Sequence, residues 1–169
     1  MTIHQDHPFR DPEPDPVRRL RGRVGSTVSL WTSGSQRRAG LTVSSYIVVT
    51  GEPGRVIAAL DPDSDLLETL QETGTAVVQL LSWQDRELAE AFAGMMPAPG
   101  GPFGLAEFVP TAYGPRLASA ATWAGVRLEQ HQEVGWSRLV TAAIEEVRVG
   151  ETTDWLVHRG GRYQPPGYP

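Results

Sequence analysis

The chain has 169 residues, 40% apolar and 21% charged, with a net charge of −5 and no cysteine. This suits one domain with its own core, excludes disulfide or thiolate chemistry, and argues against general nucleic-acid binding, which relies on a positive surface. No apolar run reaches the roughly 20 residues of a membrane helix, and MTIHQDHPFRDPEPDP lacks the apolar core of a signal peptide, so the expected location is the cytoplasm.

Residues 1–14 read as a loose arm, because acidic residues and Pro8, Pro12 and Pro14 leave little to pack. Residues 15–163 read as the domain and 164–169 as an irregular tail. A short helix is predicted over Pro16–Leu20, with Asp15 as its cap and Pro16 at the first helical position. The basic run Arg18, Arg19, Arg21 and Arg23 fits solvated surface, a bound phosphate or a dimer contact.

From Gly25 the period changes to two. In GSTVSLWT, Val28 and Leu30 face one way, and Thr27, Ser29 and Trp31 the other, which predicts a half-buried strand. SGSQRRAG is a loop and LTVSSYIVVT a second strand, giving a hairpin. GEPG is a turn. RVIAAL, without alternation, reads as a strand buried on both faces. In DPDSDLLETLQETG, Asp63 or Ser64 caps a helix, Leu66, Leu67 and Leu70 share a face, and Gly74 ends it. TAVVQLLS is a strand. SWQDRELAEAFAG is a second helix, with Ser82 and Asp85 spaced as a capping box.

MMPAPGGPFG, residues 95–104, is a long loop of the kind that forms lids. Residues 105–120 show no clear period. ATWAGVRLEQHQEV, WSRLVTAAIEEVRVG and DWLVHRGGRY read as strands, the last two long and antiparallel. At least six strands with two or three short helices, mostly close in sequence, predict a mainly β, antiparallel barrel rather than a parallel α/β sheet.

Several chemistries lack their residues. No GxGxxG follows a strand, and there is no P-loop and no GxSxG elbow. His4, His7, His131 and His158 have no metal-ligand spacing, so no metal is expected. No side-chain catalyst stands out. A polar, glycine-containing stretch, RAGLTVSSY, lies between β-type runs and supplies hydroxyl and backbone N–H groups. Such a site suits a cofactor that brings its own reactivity.

On these residues the chain resembles a known family. STVSLWTSGSQRRAGLTVSSY resembles the opening hairpin of the flavin reductase-like, FMN-binding split-barrel proteins. RVIAALDPDSDLLETLQETGTAVVQLLSWQDRELAEAFAG resembles their strand, Ser-containing turn, helix, strand and second helix. WAGVRLEQHQEVGWSRLVTAAIEEVRVG and WLVHRGGRY resemble their closing strands and final Gly-x-Tyr. The resemblance spans residues 17–163.

It implies a dimeric, antiparallel Greek-key split β-barrel that binds FMN or FAD. It implies hydride transfer from NADH or NADPH to the flavin, which can serve a partner monooxygenase. By the same resemblance, Thr32 and Ser33 lie beside the cofactor, Thr42, Ser44 and Ser45 line its ring or ribityl chain, and Ser64 meets its phosphate at a helix N-terminus. The Gly135-Trp136-Ser137-Arg138 segment takes the nicotinamide position.

Three departures from the family pattern bear on function. The phosphate turn is Asp63-Ser64-Asp65-Leu66, where many members carry Arg/Lys-Ser-x-Thr, so carboxylates flank the Ser unless Arg37, Arg38 or the arginines of 18–23 offset them. Gln79 stands for an Asn in TAVVQLLS. Gly135-Trp136-Ser137-Arg138 replaces a Gly-Asp-His. These changes leave an alternative open: a protein of the same fold that holds FMN without reducing it through NAD(P)H, or a dimerisation domain that binds no flavin.

Overall fold

The structure, a computed structural model, describes residues 16–151 and 154–168. The arm over 1–14 and the cap Asp15 therefore lie outside the described residues. The first element is helix α1 (Pro16–Arg23), which carries the arginine run and buries none of its residues. Strands β1 (Ser26–Thr27), β2 (Ser29–Ser33), β3 (Ala39–Val43), β4 (Tyr46–Val49) and β5 (Arg55–Leu60) follow. Helix α2 (Asp65–Thr73), strand β6 (Thr75–Leu80) and helix α3 (Arg86–Phe92) come next. The chain ends with β7 (Phe108–Pro110), β8 (Pro115–Leu117), β9 (Trp123–Val134), β10 (Ser137–Arg148), β11 (Val157–Arg159) and β12 (Arg162–Gln164).

Seven strands form one antiparallel sheet in the order β3-β2-β6-β9-β10-β5-β4. Its two edges, β3 and β4, are consecutive in the chain and separated only by Ser44 and Ser45. Three Cα–Cα steps reach about 11 Å at most, so the sheet must curl until its edges meet. The seam of this split barrel is the Ser-Ser link itself, held to β5 by the Ala59 N–H donating to the Ser45 carbonyl at 2.9 Å. Register shifts between Thr141 and Ala142 and between Ile144 and Glu146 supply the bends that let the long β9–β10 pair follow the curl.

Two cores flank the sheet. Inside the barrel, Trp31, Val56, Leu60, Val78, Val126 and Val140 pack around α2, which closes the interior with Leu66, Leu67 and Leu70. Ser64 caps α2, its Oγ accepting from the Leu67 N–H at 3.3 Å, and Gly74 ends it in the left-handed region at φ 76°. On the other side of β2, Val28, Leu30, Leu81, Leu88, Phe92 and Leu156 form a second core under α3.

This second core corrects one expectation: β2 is buried on both faces rather than half-buried. The reverse holds for β5. Val56, Ala58 and Leu60 are buried, but Arg55, Ile57 and Ala59 are only half-buried, because among the described residues β5 packs chiefly with neighbouring strands rather than under a helix. The long antiparallel pair is β9 with β10, not the last two segments. WLVHRGGRY makes a short hairpin, β11–β12, whose turn residues Gly160 and Gly161 both have positive φ, 61° and 77°. The second predicted helix begins as a 3₁₀ turn over Trp83–Asp85, where the Ser82 N–H donates to the Asp85 carboxylate at 2.8 Å. The 95–104 loop is anchored by Phe103, which meets Phe92 and Phe108 edge to face, with Arg38 over its ring.

Candidate functional site

The hydroxyl-rich hairpin divides into two parts. At the end of β2, Thr32 and Ser33 are fully buried. Thr32 Oγ1 donates to the Pro115 carbonyl and accepts from Gln79 Nε2 at 3.0 Å. Gln79 Oε1 in turn accepts from the Leu117 N–H at 2.7 Å, so this buried amide ties β2, β6 and β8 together. Ser33 Oγ lies 2.9 Å from Thr73 Oγ1 and donates to the Thr75 carbonyl at 2.6 Å. Thr42, on β3, spends its hydroxyl on the Ala89 carbonyl of α3 at 2.6 Å.

Ser44 and Ser45 differ. Both are half-buried at the seam. Their carbonyls are engaged, Ser44 by Ser26 Oγ at 2.6 Å and Ser45 by the Ala59 N–H. Among the described residues neither hydroxyl makes a hydrogen bond within the chain. The seam thus presents two fixed Oγ groups with unused donor and acceptor capacity. The neighbouring glycine of the stretch has a packing role: a Cβ on Gly40 would lie 2.5 Å from Cε1 of Phe92, so only Gly lets α3 approach β3 here.

Strand β5 runs from beside Val49 to beside Ser45 and leads directly into the acidic turn. There Ser64 Oγ donates to the Asp61 carbonyl at 2.8 Å besides capping α2, and Asp61 Oδ1 accepts from the Asp63 N–H at 2.9 Å. Asp63 and Asp65 are exposed. Arg37, considered above as their counter-charge, pairs with Glu68 on α2 at 3.2 Å. That carboxylate, first by hydrogen bonding and then by its charge, raises the Arg37 pKa further, and Asp65 adds to the pull. Arg38 is turned toward Phe103 instead.

Gly135 and Trp136 form the two-residue turn between β9 and β10, with Gly135 at φ 56° as its first residue. Trp136 is 71% exposed. Ser137 and Arg138 begin β10, Arg138 reaching Glu133 at 3.7 Å. The hairpin end stands clear of the second core and of α3. No described contact joins this segment to Ser44 or Ser45 within one chain.

Sequence reasoning missed Ser26 at the seam, the cross-linking role of Gln79 in the core, and His158 opposite Ser26. The only linear signal for Ser26 was its place at the start of the β pattern, because β1 meets Ser44 and β11 only through tertiary pairing. Among the described residues, no group of three or more His, Asp or Glu could hold a metal ion, and no helix is long and apolar enough to cross a membrane.

Comparison with known proteins agrees with this geometry. A family described as "Flavin reductase like domain" matches residues 21–167. The chain is 26% identical over 151 residues to the 4-hydroxyphenylacetate 3-monooxygenase reductase component of Pseudomonas aeruginosa, covering 88% of this chain and 89% of that one. It is 26% identical over 161 residues to the FMN reductase (NADH) RutF of Bradyrhizobium diazoefficiens, covering 94% and 89%. Among solved structures it is similar to the NADH:FAD oxidoreductase SgcE6 of Streptomyces globisporus C-1027, with a TM-score of 0.80 at 21% identity over 89% of this chain and 95% of that one. A structure of SgcE6 in complex with NAD and FAD fragments gives a TM-score of 0.79 at 20% identity, over 90% and 93%. With the family matched over most of its length and the barrel, seam and capped turn in place, the chain belongs to the flavin reductase like domain family.

Proposed function

We propose that this protein is an NAD(P)H-dependent flavin reductase, the reductase component of a two-component monooxygenase. The observation that carries the reading is the seam: two half-buried serine hydroxyls without a hydrogen bond among the described residues, on the short link that closes the barrel. These groups fit a flavin, whose ring oxygens and nitrogens and ribityl hydroxyls call for neutral donors and acceptors rather than charges. The printed activities of the relatives, reductase component and FMN reductase (NADH), support it.

Bound flavin would supply the two-electron acceptor, and the nicotinamide the hydride. The chain's part is to bind and orient. Ser44 and Ser45 hold the flavin at the seam, with Thr42, Thr32 and Ser33 fixing the strands behind them. The α2 N-terminus at Ser64 faces the phosphate, with Arg37 one helical turn away on Glu68 to offset Asp63 and Asp65. Gly135, Trp136, Ser137 and Arg138 form the nicotinamide-binding tip. No acid or base is needed, in keeping with a site made of hydroxyls and amides.

A homodimer is part of the reading. The edge strand β4 exposes Ile47, Val48 and Val49, and the outer face of β5 and β10 adds the partly exposed Ile57 and Leu139. An apolar edge strand left open invites pairing, and a second copy would cover it.

The test is an anaerobic absorbance spectrum with FMN or FAD in excess over protein, before and after NADH or NADPH. Bleaching of the flavin band near roughly 450 nm at catalytic protein is expected. A bound flavin that does not bleach would favour the non-reducing flavin protein, the reading that the acidic turn and the imidazole-free tip suggest.

A further inference from the structure

A small three-stranded sheet, in the order β1-β11-β12, carries a histidine that the proposed contacts do not use. β1 and β11 pair with Ser26 opposite His158. β11 and β12 pair with His158 opposite Tyr163. Directly opposed residues project from one face, so these three side chains share it. Two separate routes lead from that face to the seam. Ser26 Oγ donates to the Ser44 carbonyl at 2.6 Å. Tyr163 packs on the second core and feels the charge of Glu90 on α3, next to the Ala89 carbonyl that holds Thr42. His158 therefore sits at the corner where the seam, α3 and the small sheet meet.

Its state suits a ligand contact. The imidazole meets the Tyr163 ring edge to face, centroids 5.7 Å apart at 71°, which fixes its plane. Burial, then the nearby Arg21 charge, lowers its pKa, so the ring is neutral at pH 7. Among the described residues no hydrogen bond involves either ring nitrogen. A neutral imidazole keeps one donor and one acceptor.

We propose that His158 is a positioning residue for flavin at the Ser44–Ser45 seam, its imidazole hydrogen-bonding a polar edge of the ligand while Tyr163 holds the ring in place. This rests on the flavin reading of the seam. It gives the closing hairpin, HRGGRY, a role beyond completing the small sheet.

Titration of FMN and FAD, followed by quenching of flavin fluorescence, tests it on the full chain. His158→Phe keeps a ring against Tyr163 and removes both nitrogens. His158→Gln keeps a hydrogen-bonding amide and removes the ring. The expected result is a roughly tenfold weaker Kd for His158→Phe at an unchanged melting temperature, with His158→Gln within about threefold of the parent. Parent-like affinity in His158→Phe would overturn the proposal. So would equal losses of affinity and melting temperature in both variants, which mark packing alone. Should His158→Phe fail to fold, His158→Gln decides: retained affinity supports the hydrogen bond, and a tenfold loss in a folded variant overturns it. No quenching by the parent protein would instead remove the flavin reading itself, before His158 is reached.

Discussion

Thr32–Ser33 and Ser44–Ser45 are similar hydroxyl pairs on one hairpin, and the fold treats them oppositely. Both hydroxyls of the first pair are buried and consumed, by Pro115, Gln79, Thr73 and Thr75. Those of the second are half-buried and make no hydrogen bond among the described residues, while their carbonyls are engaged. The difference is one of position in the sheet. β2 lies inside it between β3 and β6, so its side chains meet neighbours on every side, whereas Ser44 and Ser45 form the link between the sheet's two edges. Hydroxyl chemistry alone does not separate the two pairs; position in the sheet does.

The most demanding way to break this comparison is Gln79→Leu. It strands the Leu117 N–H in the core and leaves Thr32 Oγ1 with only its bond to the Pro115 carbonyl, and a loss of about 3 kcal/mol is expected by urea unfolding. A loss below about 1 kcal/mol would show that the buried pair is not a structural network.

Tyr46 sharpens the boundary, since it follows Ser45 directly and returns the chain to the barrel interior. Burial pushes its phenol up to about 12 from 10.0. A folded pKa above the unfolded one gives stability that is complete below about pH 10 and lost as pH rises toward 12. The group's share is roughly 2–3 kcal/mol. Tyr46→Phe should flatten that stretch of the stability–pH curve; a variant curve parallel to the parent's would place the phenol in water.

Ser45→Tyr fills the seam from its exposed side. Flavin affinity should fall by at least about thirtyfold, near 2 kcal/mol, while the melting temperature holds. Unchanged quenching of flavin fluorescence would move the site elsewhere.

The smallest effect concerns Ser64, which stands between the two classes. Its hydroxyl already caps α2, so Ser64→Ala should cost about 1 kcal/mol of stability. Comparison of FMN with riboflavin isolates any phosphate contact: a weaker FMN alone supports it, and equal binding of both by variant and parent restricts Ser64 to capping.

Much of this was legible along the chain. The Ser64 cap, the Gly74 stop and the Leu66–Leu67–Leu70 face depend on neighbours within a few residues, so periodicity and cap chemistry found them. The GLTVSS stretch and the order of segments carried the family. Expectations went astray where distant segments decide. Two-sided burial of β2 needed α3, the half-buried face of β5 needed its place among strands, and the short final hairpin needed to be seen against β1.

An antiparallel β protein without cysteine chemistry, the capped helix α2, and a polar glycine-containing link between two strands were all readable along the chain. Those features are set by composition and by interactions along the chain. Only the tertiary structure decided that this link is the seam of a curled sheet, that Gly40 makes room for Phe92, that Gln79 locks Thr32 away, and that His158 arrives beside Ser26. Each of these joins residues far apart in sequence, and no local propensity specifies which strands become neighbours when a sheet closes.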